Sequence, residues 1–144
     1  MQHDIQFTYA PIEIPPAVLP SREIGSNLEF HGIVREMEKG EVLAGLFYEA
    51  HETMARRVLE RHLVELANAH PVTSVLFIHR LGWVPVGEAS LFMRVLSSHR
   101  VEGLAFLAAA VIRLKQDVPI WKLNTPPAGA ALVDENETAS KDDF

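Results

Sequence analysis

One stretch, residues 97–122, constrains the fold more than any other part of the chain. Its middle is almost wholly apolar and Pro119 follows it, so it predicts a largely buried helix over about residues 99–116. Arg100 lies at the start of this helix and Lys115 at its end. The chain carries a net charge of −6, so cations at both ends of a buried helix indicate a site for an anion.

The rest of the sequence predicts strands and one further helix. Apolar residues at helical spacing predict that helix at 52–70, ended by Pro71. We expect 26–50 to form a hairpin and 73–82 to be a central strand that pairs with 89–98. This order predicts an α+β fold, with helices on one side of a mainly antiparallel sheet. The predicted strands are 5–14, 26–36, 42–50, 73–82, 89–98 and a short extended segment at 118–124, with turns at 36–41 and 83–88.

Length, charge and cysteine content exclude several classes of protein. The 144 residues fit a single domain, which we place at 1–130, followed by a flexible acidic tail at 131–144. The chain has no cysteine, so disulfides and thiolate chemistry are excluded. The negative net charge argues against binding to nucleic acid or to an anionic membrane. The N-terminus does not resemble a signal peptide and no apolar run could span a bilayer, so we expect a cytoplasmic protein.

The start of the long helix is the first candidate site. Ser97 and Ser98 are good capping residues, and His99 and Arg100 add hydrogen-bond donors. Together with the free N–H groups of a helix N-terminus, these side chains could bind a phosphate or a carboxylate. The alternative is that Ser98 only caps the helix and Arg100 faces water.

The end of the helix is the second candidate site. Lys115 and Lys122 could act in proton transfer or as nucleophiles. The alternatives are that Lys115 only complements the helix dipole and that Lys122 is an ordinary exposed lysine. His79 and Arg80 end a strand and have a structural interpretation. The histidines are scattered and form no metal motif, so we expect no metal and no cofactor.

Four short motifs follow one another along the chain. They are Phe30, Gly32, Val34 and Arg35; Ile78, His79, Arg80 and Gly82; Ser97, His99 and Arg100; and Leu114, Lys115, Pro119, Trp121 and Lys122. Each motif is weak alone, but their order and spacing together are specific. They resemble those of the large, catalytic subunit of molybdopterin synthase, and the resemblance covers about residues 26–127.

The resemblance implies a fold, a reaction and partners. The fold would be an α/β hammerhead-like core with an additional antiparallel β subdomain. The enzyme would transfer sulfur to cyclic pyranopterin monophosphate, making the dithiolene of molybdopterin. The sulfur would come from the C-terminal thiocarboxylate of a small ubiquitin-like subunit that ends in Gly-Gly. The large subunit would form a homodimer within a heterotetramer.

The resemblance also assigns site residues. Lys115 would be the essential catalytic lysine and Lys122 a second active-site lysine. His99 and Arg100 would bind the pterin phosphate, partly from the neighbouring protomer, and Arg35 would belong to the same anion pocket. A helix about 25 Å long cannot easily bring both of its ends to one site within a protomer, which predicts a shared, dimeric active site.

Two other hypotheses remain beside this one. The sequence departs from the family's pattern at 36–38, at 123–124 and at 131–132, where a C-terminal arginine is usual. These departures favour a non-catalytic relative that acts as a binding scaffold for a ubiquitin-like partner. The other hypothesis is a small α+β enzyme for a different phosphorylated metabolite.

Overall fold

The computed structural model describes residues 1–123, which form nine strands and two helices. The predicted domain end at 130, the tail at 131–144 and the departure at 131–132 lie outside these residues. The elements are β1 (Gln2–Thr8), β2 (Ser26–Ile33), β3 (Met37–Glu38), β4 (Glu41–Val42), β5 (Gly45–Ala50), α1 (Glu52–Ala69), β6 (Ser74–Arg80), β7 (Gly82–Pro85), β8 (Ala89–Ser97), α2 (Arg100–Asp117) and β9 (Ile120–Leu123).

The larger sheet has four strands in the order β1-β6-β8-β2. The β6–β8 and β8–β2 pairs are antiparallel, whereas β1 lies parallel to β6. The predicted pairing of 73–82 with 89–98 and the central place of 73–82 are therefore confirmed. Nearly every residue of β8 is buried, as expected for an inner strand with both faces covered.

The second sheet has three strands in the order β7-β5-β9, and both of its pairs are antiparallel. It is the additional antiparallel subdomain that the family resemblance implies. Its central strand, β5, places Tyr48 opposite Gly82 on one side and opposite Lys122 on the other. The sheet thus places β9, which follows α2, directly beside β5.

The predicted hairpin at 26–50 is wrong. Its first strand, β2, pairs with β8 in the larger sheet, and its second strand, β5, belongs to the smaller sheet. The separate β3–β4 hairpin lies between them, with Lys39 and Gly40 both at positive φ in its turn. Backbone hydrogen bonds of Val34 with Glu88 and Gly87 hold the end of β2 beside the β7–β8 turn. The chain therefore leaves one sheet before it enters the other.

Two smaller differences concern the ends of strands. The first strand ends at Thr8 rather than at residue 14, because the prolines from Pro11 onward cannot donate to a ladder. The segment predicted as a turn at 83–88 contains β7, and the turn itself follows at Gly87, where φ is +88°.

The two helices pack against each other and on one face of the larger sheet, α1 near β1 and α2 across β2 and β8. The core lies between these layers, and its largest fully buried side chains include Phe77, Met93 and Phe106. A close approach at Gly103 lets α2 sit on the sheet. A Cβ there would lie 2.8 Å from the Ser97 Oγ and 3.2 Å from the Leu28 Cδ1. No helix of the described part of the chain has the length and apolarity needed to cross a membrane.

Candidate active site

The start of α2 forms the first part of the candidate site. His99 is the N-cap residue, but its side chain makes no capping hydrogen bond. The prediction that a serine caps this helix is therefore wrong. Ser97 still ends β8 and its Oγ donates to the His99 carbonyl at 2.7 Å, while Ser98 lies exposed on the surface. Both His99 and Arg100 are exposed, where they are accessible to a ligand.

These residues line a cleft of about 400 Å³ at the helix N-terminus. Gly25 forms part of its wall, and its N–H donates to the Ser97 carbonyl at 3.0 Å. A side chain at Gly25 would collide with the Ser98 carbonyl oxygen, so only glycine allows this close approach. The cleft combines a helix N-terminus with an imidazole and a guanidinium, although Glu102 also lines it. That combination suits a phosphate.

Lys115 lies half-buried in the last turn of α2, at the opposite end of the helix. Fifteen residues separate it from Arg100, which corresponds to about 22 Å along the axis. One protomer therefore does not bring the two ends together. Contacts with α1 hold this last turn, because His62 bonds Asp117 at 2.7 Å and Arg113 lies 3.1 Å from the other ring nitrogen of His62.

Lys122 lies in β9 and only 4% of it is exposed. Its Nζ donates to the Glu38 Oε1 at 2.6 Å, and Glu38 itself is 7% exposed. The interpretation of Lys122 as an ordinary exposed lysine is therefore wrong. A charge pair shielded from water on both sides is a strong, directional contact.

Arg35 joins the same group from the surface. Its side chain is 61% exposed, and its guanidinium lies 3.8 Å from the second carboxylate oxygen of Glu38. Glu38 thus bridges Lys122 and Arg35, two of the cations that the family resemblance assigns to the site. Sequence reasoning missed Glu38, which stood as one acid in a charged turn. Its local sequence gives no signal, because apolar Met37 is exposed and the Glu38 carboxylate is buried, the reverse of what alternation predicts.

Buried polar side chains extend the group into the protein. Burial raises the pKa of Tyr48 to about 12 despite a hydrogen bond with Ser90, and the Glu38 carboxylate contributes to the rise. Burial lowers the pKa of His79 to about 4, although its hydrogen bond to the Arg80 backbone opposes this. Both groups are therefore neutral near pH 7. The structural interpretation of His79 fits its full burial and its edge-on ring contact with Tyr48.

The predicted site residues thus fall into three places in one protomer. Arg35 and Lys122 are brought together through Glu38. His99 and Arg100 share the cleft at the start of α2. Lys115 lies at the far end of that helix. In residues 1–123, no group of three or more acidic or histidine side chains is arranged to hold a metal ion.

Known proteins resemble the chain over most of its length. Residues 7–117 match the family model described as MoaE protein. The molybdopterin synthase catalytic subunit of Oryza sativa subsp. indica is 38% identical over 98 residues, which are 68% of this chain and 51% of that protein. The chain therefore spans about half the length of the rice relative.

Solved structures share the fold. A crystal structure of molybdopterin synthase from Staphylococcus aureus aligns with a TM-score of 0.73 at 28% identity, covering 85% of this chain and 91% of that chain. A complex of subunits 1 and 2 of molybdopterin-converting factor from Helicobacter pylori contains a chain that aligns with a TM-score of 0.61 at 24% identity. That alignment covers 73% of this chain and 68% of the other. The matched family model covers more than two thirds of the sequence, and the chain belongs to the MoaE protein family.

Proposed function

We propose that the chain is the catalytic subunit of a molybdopterin synthase. It would transfer sulfur from the C-terminal thiocarboxylate of a small ubiquitin-like subunit to cyclic pyranopterin monophosphate. The observation that carries this proposal is the pairing of Arg35 and buried Lys122 through Glu38, in a member of a family whose relatives are named for this activity. A cytoplasmic location stays a prediction.

The cleft at the start of α2 is the proposed phosphate subsite. A phosphate there would receive hydrogen bonds from the first N–H groups of the helix and from His99 and Arg100. Each of these donors favours an anion over a neutral ligand. An acidic protein needs such a local cluster because its overall field repels an anionic substrate.

The two lysines are proposed to serve the sulfur-transfer step. Attack by a thiocarboxylate on the pterin side chain requires proton transfers, for which a positioned amine is suited. Lys115 is half-buried in the last turn of α2, whereas Lys122 is almost fully buried against Glu38. We therefore assign proton transfer to Lys115 and electrostatic stabilisation of the anionic reactants to Lys122.

A homodimer would complete the site. One face of α2 carries an exposed stripe, here called the α2 stripe, that faces neither α1 nor the sheet. Its members recur every three to four residues and so lie on one side of the helix. Lys115 falls on this same side by its spacing. The α2 stripe consists of Val101, Leu104, Ala108 and Ile112.

Two-fold packing of the α2 stripe on its copy in a second protomer explains the separated ends of the helix. In an antiparallel pair, each helix end lies beside the opposite end of its partner. Arg100 of the partner subunit would then approach Lys115, so that phosphate and sulfur-transfer groups meet across the interface. The packing would also bury apolar side chains that are 53–69% exposed in the protomer, such as Val101, Leu104 and Ile112.

The small subunit is the remaining partner in the proposal. The Helicobacter pylori structure is a complex of two subunits, one of which shares this fold, and this supports a two-component enzyme. With one small subunit on each protomer of the homodimer, the assembly would be a heterotetramer. Capture of a small protein ending in Gly-Gly by the full chain would test this part directly.

The Lys115→Ala variant tests the catalytic assignment. We expect it to form no detectable molybdopterin when it is mixed with a thiocarboxylated small subunit and cyclic pyranopterin monophosphate, while its circular dichroism spectrum stays unchanged. The control is Arg57→Gln, which removes an exposed positive charge from α1 and should keep full turnover. Normal turnover by Lys115→Ala would refute the catalytic role.

A non-catalytic scaffold is the second candidate function, and the Glu38 carboxylate favours it, because this group offsets the positive charge of Arg35 and Lys122. Calorimetric titration with cyclic pyranopterin monophosphate separates the two functions. The enzyme would bind the pterin, whereas a scaffold would bind only the small subunit.

A further inference from the structure

The contact between Glu38 and Lys122 joins parts of the chain that are 84 residues apart. Glu38 belongs to the short β3–β4 hairpin, whereas Lys122 lies in β9 of the three-stranded sheet. Both side chains are more than nine-tenths buried. Neither strand of the hairpin is longer than two residues, and this contact connects the hairpin to the three-stranded sheet.

A lysine buried this deeply needs a partner for its charge. An isolated ammonium loses its hydration when it is buried and tends to give up its proton. A carboxylate at 2.6 Å reverses this tendency, because the charged pair keeps its mutual attraction away from water. The other neighbour in the register, Tyr48, is neutral near pH 7 and does not compete for the charge.

We propose that Glu38 is a positioning residue of the sulfur-transfer site, which holds Lys122 as a charged ammonium and orients it together with Arg35. This inference rests on the proposed function. The first oxygen of Glu38 accepts from the Lys122 Nζ, and the second faces the Arg35 guanidinium at 3.8 Å. One carboxylate therefore lies between two cations of the proposed site.

A division of roles between the two lysines follows. With its Nζ bonded to Glu38, Lys122 serves as a fixed positive charge and hydrogen-bond donor rather than as a nucleophile. A covalent link to the small subunit, if one forms, would fall to Lys115. Because the carboxylate lies in the hairpin, a movement of β3 and β4 would alter Lys122 without any change in β9.

The direct test is the protonation state of Lys122 in the unmodified protein. Side-chain NMR of lysines labelled with nitrogen-15, assigned with Lys122→Arg, reports whether the Nζ carries three protons at neutral pH. We expect an ammonium signal with slowed proton exchange. A neutral amine at Lys122 would overturn the proposal, and this measurement needs neither a folded Glu38 variant nor any substrate.

Acylation of Lys122 provides a second test. We expect Glu38→Gln to speed acetylation of this residue, measured by peptide mass spectrometry, by about ten-fold, because the amide lacks the negative charge that stabilises the ammonium. Glu38→Asp keeps the charge and should react nearly as slowly as the wild type. The matched control is Glu36→Gln, an exposed carboxylate two residues away, which should leave the rate unchanged. Equal rates in Glu38→Gln and the wild type would overturn the proposal.

Steady-state kinetics connect the contact to turnover. We expect Glu38→Gln to lower kcat about ten-fold with a much smaller change in KM, and Glu38→Asp to recover most of the loss. If Glu38 had a purely structural role, Glu38→Gln would not lower kcat much more than it changes KM, and the charge-preserving Glu38→Asp would not restore kcat. If the wild type makes no molybdopterin, the proposed function fails, while the NMR and acylation results still decide whether Glu38 holds Lys122 charged.

Discussion

At the scale of single residues, the structure buries two polar side chains whose burial the sequence does not reveal. The sequence around Lys122 does not distinguish it from a surface lysine, yet only 4% of it is exposed and it contacts a buried carboxylate. His79, whose place at the end of a strand favours a structural role, is fully buried, and its Nδ1 lies 2.8 Å from the Arg80 carbonyl oxygen. Both are buried polar groups, which need hydrogen-bond partners inside the protein.

His79 makes stability depend on pH. Its pKa is about 4 in the folded protein and near 6.5 when the chain is unfolded. Between these values the unfolded state binds more protons than the folded state. The contribution of neutral His79 to the free energy of unfolding is therefore complete above pH 6.5 and is lost as the pH falls toward 4. We expect the free energy of unfolding to fall by about 2 kcal/mol between pH 7.5 and pH 5 through this residue.

Urea unfolding of the wild type and of His79→Gln at the two pH values measures this contribution. The amide keeps polarity but does not titrate, so the difference between the two proteins cancels the effect of other groups. The same pH slope in both proteins would show that His79 does not titrate in this way.

The Glu38–Lys122 pair predicts a non-additive effect on stability. Glu38→Ala leaves a buried ammonium without its carboxylate and should cost about 3 kcal/mol. Adding Lys122→Met removes the stranded charge, so the double variant should recover most of that loss. Chemical denaturation of the two single variants and the double variant gives the coupling. Additive losses would mean that the two side chains do not depend on each other.

At the scale of elements, local patterns predicted both helices and the pairing of 73–82 with 89–98, but they predicted a wrong hairpin at 26–50. The predicted helices at 52–70 and 99–116 agree with α1 and α2 to within one residue at each end, because apolar spacing and proline mark helices locally. Strand β2 carries no sign in its own sequence that its partner is β8 rather than β5, since pairing is decided by distant residues. Glu38 was missed for the same reason, because its partner is 84 residues away.

The α2 stripe predicts how protomers associate. Leu104→Glu places a charge in the middle of the proposed interface and should shift the protein from dimer to monomer, because burying an unpaired carboxylate is costly. Val64→Glu makes the same change on an exposed apolar residue of α1 and is the matched control. Sedimentation equilibrium measures both. A Leu104→Glu dimer as stable as the wild type would place the interface elsewhere.

At the scale of the whole molecule, the fold separates the two halves of the proposed reaction. The phosphate cleft lies at one end of α2, and Lys115 lies about 22 Å away at the other end. Family membership and the positions of the lysines support an enzyme, but a single protomer does not unite its parts. The central claim is therefore that each active site takes Arg100 from one protomer and Lys115 from the other.

Complementation between two inactive variants tests this claim most directly. Lys115→Ala and Arg100→Ala are purified, mixed in equal amounts, dissociated and reassembled, and molybdopterin formation is measured with the thiocarboxylated small subunit. Half of the dimers should be mixed, and each mixed dimer has one intact site of two, so activity should return to about a quarter of the wild-type value. If both residues acted within one protomer, every site would lack one of them. The mixture would then stay as inactive as its parts.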